Sequence, residues 1–250
     1  MRCEGIDALT GKAVELQIAQ GRITGIKHID TSEPLPYLTA GFFDIQVNGY
    51  RGHGHSAAEA ALIDKAIEAG ARMTTHLGNG SHNLLPRLKN YIWQQLADDR
   101  LAASMICDGF HLPPAVVKVF RRAKGLKRLI LASDVAYFGG LAPGLYRFEN
   151  TEIQVFEDGH LGLAGTDFLA GAAHLLDRDI AVFMKFTGCS LAETLPLCTS
   201  NPAKLLGVPQ SGSEIAINAP ANLVLFNYRQ GSQRLEIIKT WRAGRLVFEA

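Results

Sequence analysis

The sequence predicts an α/β protein: a central run of βα units that forms a parallel sheet or barrel, and a small β-sandwich assembled from the two chain ends. Three observations predict it. Apolar and polar residues alternate at both ends with no helical period. Nearly continuous apolar runs, the mark of strands buried on both faces, recur through the middle. Each of those runs is followed by a stretch with helical spacing. The composition, 47% apolar and 20% charged, leaves enough apolar material for one large core.

At the start, Val14, Leu16 and Ile18, then Ile23 and Ile26, alternate around the turn residues Gln20 and Gly21, which reads as a hairpin. Near the end, Asn222 to Phe226 and Lys239 to Val247 are short β-rich runs punctuated by Gly231 and Gly244. The predicted division is therefore residues 1–38 and 210–250 in the sandwich and 39–209 in the βα domain. Within the latter, Gly41 to Val47 reads as a buried strand and Ala57 to Ala69 as an amphipathic helix capped by Ser56 and ended by Gly70. The same order returns with Ala71–Thr75 before Leu84–Leu96, Leu101–Ile106 before Pro114–Lys124, and Arg128–Ala132 before an excursion. In that excursion Leu145 to Leu163 reads as a hairpin turning at Glu157, Asp158 and Gly159. Phe168–Phe186 and Leu191–Cys198 then read as helices, with Asn201-Pro202 ending the last run.

Charge and hydropathy exclude several classes. A formal net charge of +1 gives no reason to expect nucleic acid or an anionic membrane as partner. No run of about 18 apolar residues suggests a membrane span, and the first residues show no signal-peptide pattern, so the expected compartment is the cytoplasm. Cys3, Cys107, Cys189 and Cys198 lack metal-ligand spacing and read as buried small hydrophobes.

In α/β barrels chemistry sits where strands end and loops begin. Here the apolar runs are followed by Gln46-Val47-Asn48-Gly49, Gly54-His55-Ser56, Thr75 to Gly80, Asp108 to His111, and Ser133-Asp134. Polar groups clustered in a buried position must be hydrogen-bonded or ligated. Neutral imidazoles bind zinc or a similar divalent metal, which lowers the pKa of its water to about 7, and a nearby carboxylate can move that proton. His55, His76 and Asp134 can supply those parts. His53, His82, His160 and His174 read instead as hydrogen-bonded core residues or solvated ones.

The strings GFFDIQVNGY, GHS, THLGNG, DGFHLPP, ASDVA, GLAGT, SNPAKLLG and ANLVLF occur in that order. Through them the chain resembles the N-acetylglucosamine-6-phosphate deacetylase family of the amidohydrolase superfamily, from about Tyr37 to Val247. The resemblance implies an incomplete (β/α)8 barrel of the metal-dependent hydrolase type, removing acetate from N-acetylglucosamine 6-phosphate. It implies His55 and His76 as metal ligands, Asp134 as general acid/base, and His111 as the residue meeting the reacting carbonyl region. Asn79 and Gly80 match the loop that meets the amino-sugar phosphate, and Ala164, Gly165 and Thr166 a substrate-lining turn. Arg87 matches an arginine that reaches the phosphate bound by a neighbouring subunit. Gln46 and Asn48 stand where many other amidohydrolases carry two histidines, which points to one principal metal: zinc, with iron or manganese as alternatives.

The resemblance also implies a gap. In the family a long segment, carrying several strands and a glutamate that is the third metal ligand, lies between the VNG and GHS turns. Here His55 follows Gly49 almost at once. A closed eightfold barrel takes about 250 residues, against about 170 between Gly41 and Gly207. Either the gene carries an internal deletion or the sequence is incomplete. Asp44 and Glu59 are poor replacements, one lying before the strand end and the other a turn into the next helix. The expectations are weakened metal affinity, reduced or absent turnover, and open sheet edges that favour a homodimer or larger assembly. Two other readings stay open: a non-catalytic remnant that keeps a sugar-phosphate pocket, and a different amidohydrolase acting on a cyclic amide or isopeptide.

Overall fold

The computed structural model describes residues 1–46, 60–82, 84–209 and 212–250. Among them, the two chain ends pair into one seven-stranded sheet. Its strands are β1 (Arg2–Asp7), β2 (Ala13–Ala19), β3 (Arg22–His28), β4 (Tyr37–Ala40), β11 (Leu223–Asn227), β12 (Glu236–Arg242) and β13 (Arg245–Glu249), in the spatial order β13-β12-β11-β4-β1-β2-β3. The predicted hairpin is present: Gln20 and Gly21 take φ of 50° and 75° between β2 and β3, and Ala243 and Gly244 turn β12 into β13 the same way. The sandwich expected from the termini is this single sheet curled on itself. Leu16 and Ile23 from one end share a buried cluster with Leu223, Leu225 and Trp241 from the other. The segment before β11 closes the curl, with Ile23 N–H donating to Ala219 O and Ala221 N–H to Gly21 O.

Strand β11 joins this module to the rest. Its side chains alternate, so Leu223 and Leu225 face the curled sheet while Val224 and Phe226 enter the second and largest core. That core is built around a parallel sheet of β5 (Met73–Thr74), β6 (Ala102–Met105) and β7 (Leu129–Leu131), with Ala103, Met105, Leu129 and Leu131 facing the helices. The helices are α1 (Ala60–Glu68), α2 (Tyr91–Ala97), α3 (Pro114–Lys124), α4 (Leu176–Thr187), α5 (Leu191–Thr194) and α6 (Ser200–Leu205). Among the described residues the partial barrel thus has three laddered strands, where four were predicted. Phe42 to Gln46 runs extended without a ladder and is tied down singly, Phe43 N–H to Cys198 O and Gln46 O accepting from Asp134 N–H.

Four helix expectations change, each for a local reason. The predicted 84–96 helix starts only at Tyr91, because Asn90 caps it: its Oδ1 accepts from the N–H groups of Ile92 and Trp93 and its amide donates to Pro86 O. The predicted 168–186 helix starts at Leu176. Gly171 has φ 86°, and residues 169 and 172 instead bridge to Gly162 and Val135. Leu191–Cys198 divides into α5, fixed by a Ser190–Glu193 capping box, and a 3-10 turn at Leu195–Cys198. Asn201-Pro202 begins α6 where it was expected to end a run, since a proline in the first turn forfeits no intrahelical bond.

The 144–163 excursion gains a strand: β8 (Gly144–Phe148), β9 (Thr151–Val155) and β10 (Leu161–Leu163) form an antiparallel meander. The expected turn around Gly159 joins the last two. The four cysteines are buried free thiols. No single helix among the described residues is long and apolar enough to cross a membrane.

Candidate active site

The site forms at the C-terminal ends of β5, β6 and β7. Two residues beyond β5, His76 adopts φ 55°, and three beyond β7, Asp134 adopts φ 49°. A non-glycine residue in that region is uncommon and is held only by surrounding constraints. For Asp134 these are its own N–H bonded to Gln46 O at 2.8 Å and its carbonyl accepting from Ala172 N–H at 3.2 Å. For His76 they are its N–H on Ser104 Oγ and its carbonyl accepting from both Asn79 and Gly80 N–H. The two reversals turn the side chains toward each other, with His76 Nδ1 4.0 Å from Asp134 Oδ2. The His111 ring stands 6.1 Å from that of His76, centroid to centroid.

Electrostatics distinguish the members. Burial lowers the His76 pKa against the opposing pull of Asp134, with His111 adding to the lowering, so the ring favours its neutral form. Burial raises the Asp134 carboxyl above the usual range, although His76 and Gln46 pull it down. His76 Nδ1 is buried and has no hydrogen-bond partner. A neutral imidazole nitrogen left unpaired beside a carboxylate fits a cation between them. Among the described residues no group of three His, Cys, Asp or Glu stands ready to hold a metal, so a metal at His76 would need ligands beyond this pair. His55, expected as one such ligand, lies outside the described residues, as do Asn48, Ser56 and Glu59.

The other predicted residues divide. Asn79 and Gly80 wrap His76, in a loop that needs glycine at Gly78: at φ 89°, a Cβ there would meet Phe120 Cζ at 3.1 Å and Leu112 Cδ2 at 3.2 Å. Ala164, Gly165 and Thr166 form a tight turn after β10, with Thr166 Oγ1 donating to Leu163 O. The strand-like segment beyond that turn reaches Asp134 through Ala172. Arg87 is not drawn in; it is exposed in the stretch before α2, and its carbonyl accepts from Trp93 Nε1.

Sequence reasoning missed the support around these groups. Gln46 Oε1 accepts from Thr75 Oγ1 at 2.6 Å, tying the extended segment to β5. Asp44 is committed to the N–H and hydroxyl of Ser133, which agrees with its reading as a poor replacement ligand. Asp108 holds His111 Nδ1 at 2.8 Å. The three-residue spacing of Asp108 and His111 was a usable signal, since an aspartate can bond the backbone and ring of a residue one turn on.

A family model described as "Amidohydrolase family" matches residues 45–247. The chain belongs to the amidohydrolase family. It is 31% identical over 195 residues to an N-acetylglucosamine-6-phosphate deacetylase of Bacillus subtilis (strain 168), covering 78% of this chain and 48% of that one. It is 30% identical over 203 residues to an N-acetylgalactosamine-6-phosphate deacetylase of Shewanella sp. (strain ANA-3), with 79% and 48% covered. The chain thus spans about half the length of the curated relatives it matches. The crystal structure of N-acetylglucosamine-6-phosphate deacetylase from Thermotoga maritima superposes with a TM-score of 0.84 at 19% identity, over 100% of both chains, which shows the fold.

Proposed function

We propose that this amidohydrolase removes the acetyl group from N-acetylglucosamine 6-phosphate, giving glucosamine 6-phosphate and acetate. The observation that carries the reading is the His76–Asp134 pair, an unpaired buried imidazole nitrogen beside a carboxylate of raised pKa, at the strand ends of a partial barrel. His76 would hold a divalent metal, with His55 as the expected second histidine and zinc the cation best suited to imidazole ligands at a hydrolytic site. When bound, such a cation supplies polarisation of the amide carbonyl and a more acidic water.

Asp134 takes the proton of the attacking water on a carboxyl oxygen and returns it to the leaving amine, and its raised pKa brings it nearer to the pH at which both transfers are feasible. His111 meets the reacting carbonyl region, where its free ring nitrogen orients the substrate by accepting from a substrate N–H or O–H. Asn79 and Gly80 shape the wall beside His76, and Ala164 to Thr166 contribute a second wall. The relatives include deacetylases named for both the glucosamine and galactosamine phosphates, so the sugar configuration is part of what the assay must test.

A homodimer belongs to the same proposal. Arg87, expected to reach a neighbouring subunit, is flanked by Leu84 and Leu88 at 91% and 77% exposure, and β5 ends the parallel sheet among the described strands. A stable monomer by light scattering would contradict it. A cytoplasmic location is proposed on the sequence alone.

A second reading, a remnant that binds the sugar phosphate without turnover, is favoured by the lack, among the described residues, of a third metal-ligating side chain beside His76. Free-amine detection after incubation with N-acetylglucosamine 6-phosphate and zinc separates the two. The deacetylase reading expects product that disappears in Asp134→Asn, and absence of product beside intact substrate binding favours the remnant.

A further inference from the structure

We infer that Asp108 and Arg178 are positioning residues that fix which nitrogen of His111 faces the substrate. The inference rests on the proposed deacetylase site only in giving His111 a substrate to meet. The loop between β6 and α3 is short, and every backbone turn in it is secured by one carboxylate. Asp108 Oδ1 accepts from the N–H groups of Phe110 and His111 at 2.9 and 3.0 Å, and Oδ2 lies 2.8 Å from His111 Nδ1. The His111 and Asp108 side chains are 4% and 2% exposed, so water does not compete for the contact. Burial pushes the Asp108 carboxyl up, but the ring and the two backbone N–H groups together outweigh it and hold the pKa below the usual range. An ionised carboxylate only accepts, so the proton of His111 is on Nδ1, and Nε2 is the nitrogen left for substrate.

The backbone that carries this carboxylate is itself held from a different element. Arg178, in the first turn of α4, donates Nε–H to Asp108 O at 2.7 Å, and its guanidinium lies 5.1 Å over the Phe110 ring. Phe110 is packed between the rings of His160 and His174, at 5.1 and 6.0 Å. The next residue of α4, Asp179, accepts from Cys107 N–H at 2.6 Å. Two consecutive side chains in the first turn of α4 therefore grip the two peptides that launch the His111 loop. Packing alone does not explain a pair of charged residues spent there. Orienting an imidazole by a carboxylate does, because only the correct tautomer presents the needed atom.

The test is 15N NMR of histidine-labelled protein in the presence of zinc, with the His111 signal identified by its loss in His111→Gln. The expected result is a ring protonated at Nδ1 in the wild type and at Nε2 in Asp108→Asn, whose amide donates where the carboxylate accepted. Arg178→Gln is expected to average the two tautomers, and Arg178→Lys to restore the wild-type signal at least in part. A wild-type ring protonated at Nε2, or a tautomer unmoved by Asp108→Asn, overturns the inference. These readouts do not depend on turnover, so failure to deacetylate would count against the proposed function and leave the positioning intact. With turnover measurable, Asp108→Asn is expected to lower kcat about 10- to 100-fold with KM changed less than threefold; a change confined to KM would also overturn it.

Discussion

Replacing Asp179 by Asn probes a wholly buried carboxyl in the core. Asp179 is fully buried in α4; one carboxyl oxygen accepts from Cys107 N–H and the other has no partner. Burial pushes its pKa well above the carboxylate range, the charge of Asp108 adds to this, and the Cys107 bond only partly offsets it. A carboxyl whose folded pKa is raised leaves the native state fully stable only below the unfolded pKa. As pH climbs from there toward the folded pKa, the unfolded chain sheds its proton first and native stability falls by about 1.4 kcal/mol per pH unit. Asp179→Asn keeps the acceptor for Cys107 and removes that slope. The unpaired amide donor it introduces costs about 1–2 kcal/mol at every pH. The variant is therefore expected to be no more stable than wild type near pH 4, and to gain on it by about 1.4 kcal/mol per pH unit as the pH climbs toward the folded pKa. Urea unfolding followed by tryptophan fluorescence at four pH values between 4.5 and 7.5 measures the gap. A gap that stays constant across that range would refute the reasoning.

Three other expectations use the same kind of argument. Lys124 is wholly buried and its Nζ donates to Gln95 O and Asp98 O at the end of α2. Lys124→Met leaves Gln95 O unpaired and Asp98 O with only the bond from Leu101 N–H, and should cost about 1–3 kcal/mol in urea unfolding, reduced by relief of the buried charge. Gly78→Ala should lose about 2 kcal/mol and loosen the His76 loop, seen as faster amide exchange at Leu77 and Asn79, because both φ and the contacts to Phe120 and Leu112 exclude a side chain. His76→Ala should lower bound zinc by at least tenfold in equilibrium dialysis while leaving the melting temperature of the zinc-free protein within about 3 °C.

The sequence made the overall arrangement legible because its signals were periodic. Alternation in Val14 to Ile26 and the Asn222 to Phe226 run located strands of one sheet whose two halves meet where β4 pairs with β11, and apolar runs before His76, Asp108 and Asp134 located the strand ends. Boundaries were less legible wherever a side chain competed with the helix. Asn90 and Gly171 shortened two helices, since one offers the backbone a cap and the other adopts a left-handed φ. At the site, residue type pointed to His76 and Asp134. It could not show that both would take left-handed backbone angles, which depend on contacts with Gln46, Ser104 and Ala172, far away in sequence. Arg178 and Asp179 were invisible for the same reason: on α4 they interrupt an apolar face, and only the fold reveals that they meet the His111 loop. Arg87 resisted placement because the neighbour it was expected to meet is another copy of the chain.

The pair at His76 and Asp134 is proposed to support hydrolysis of a sugar-phosphate acetamide. That proposal is tested most directly by 1H NMR of acetate released from N-acetylglucosamine 6-phosphate as zinc is titrated from zero to two equivalents. The account predicts a rate that rises to one equivalent, then levels, and is abolished by Asp134→Asn. Acetate formation that is absent at every zinc ratio, or that persists unchanged in Asp134→Asn, would contradict it.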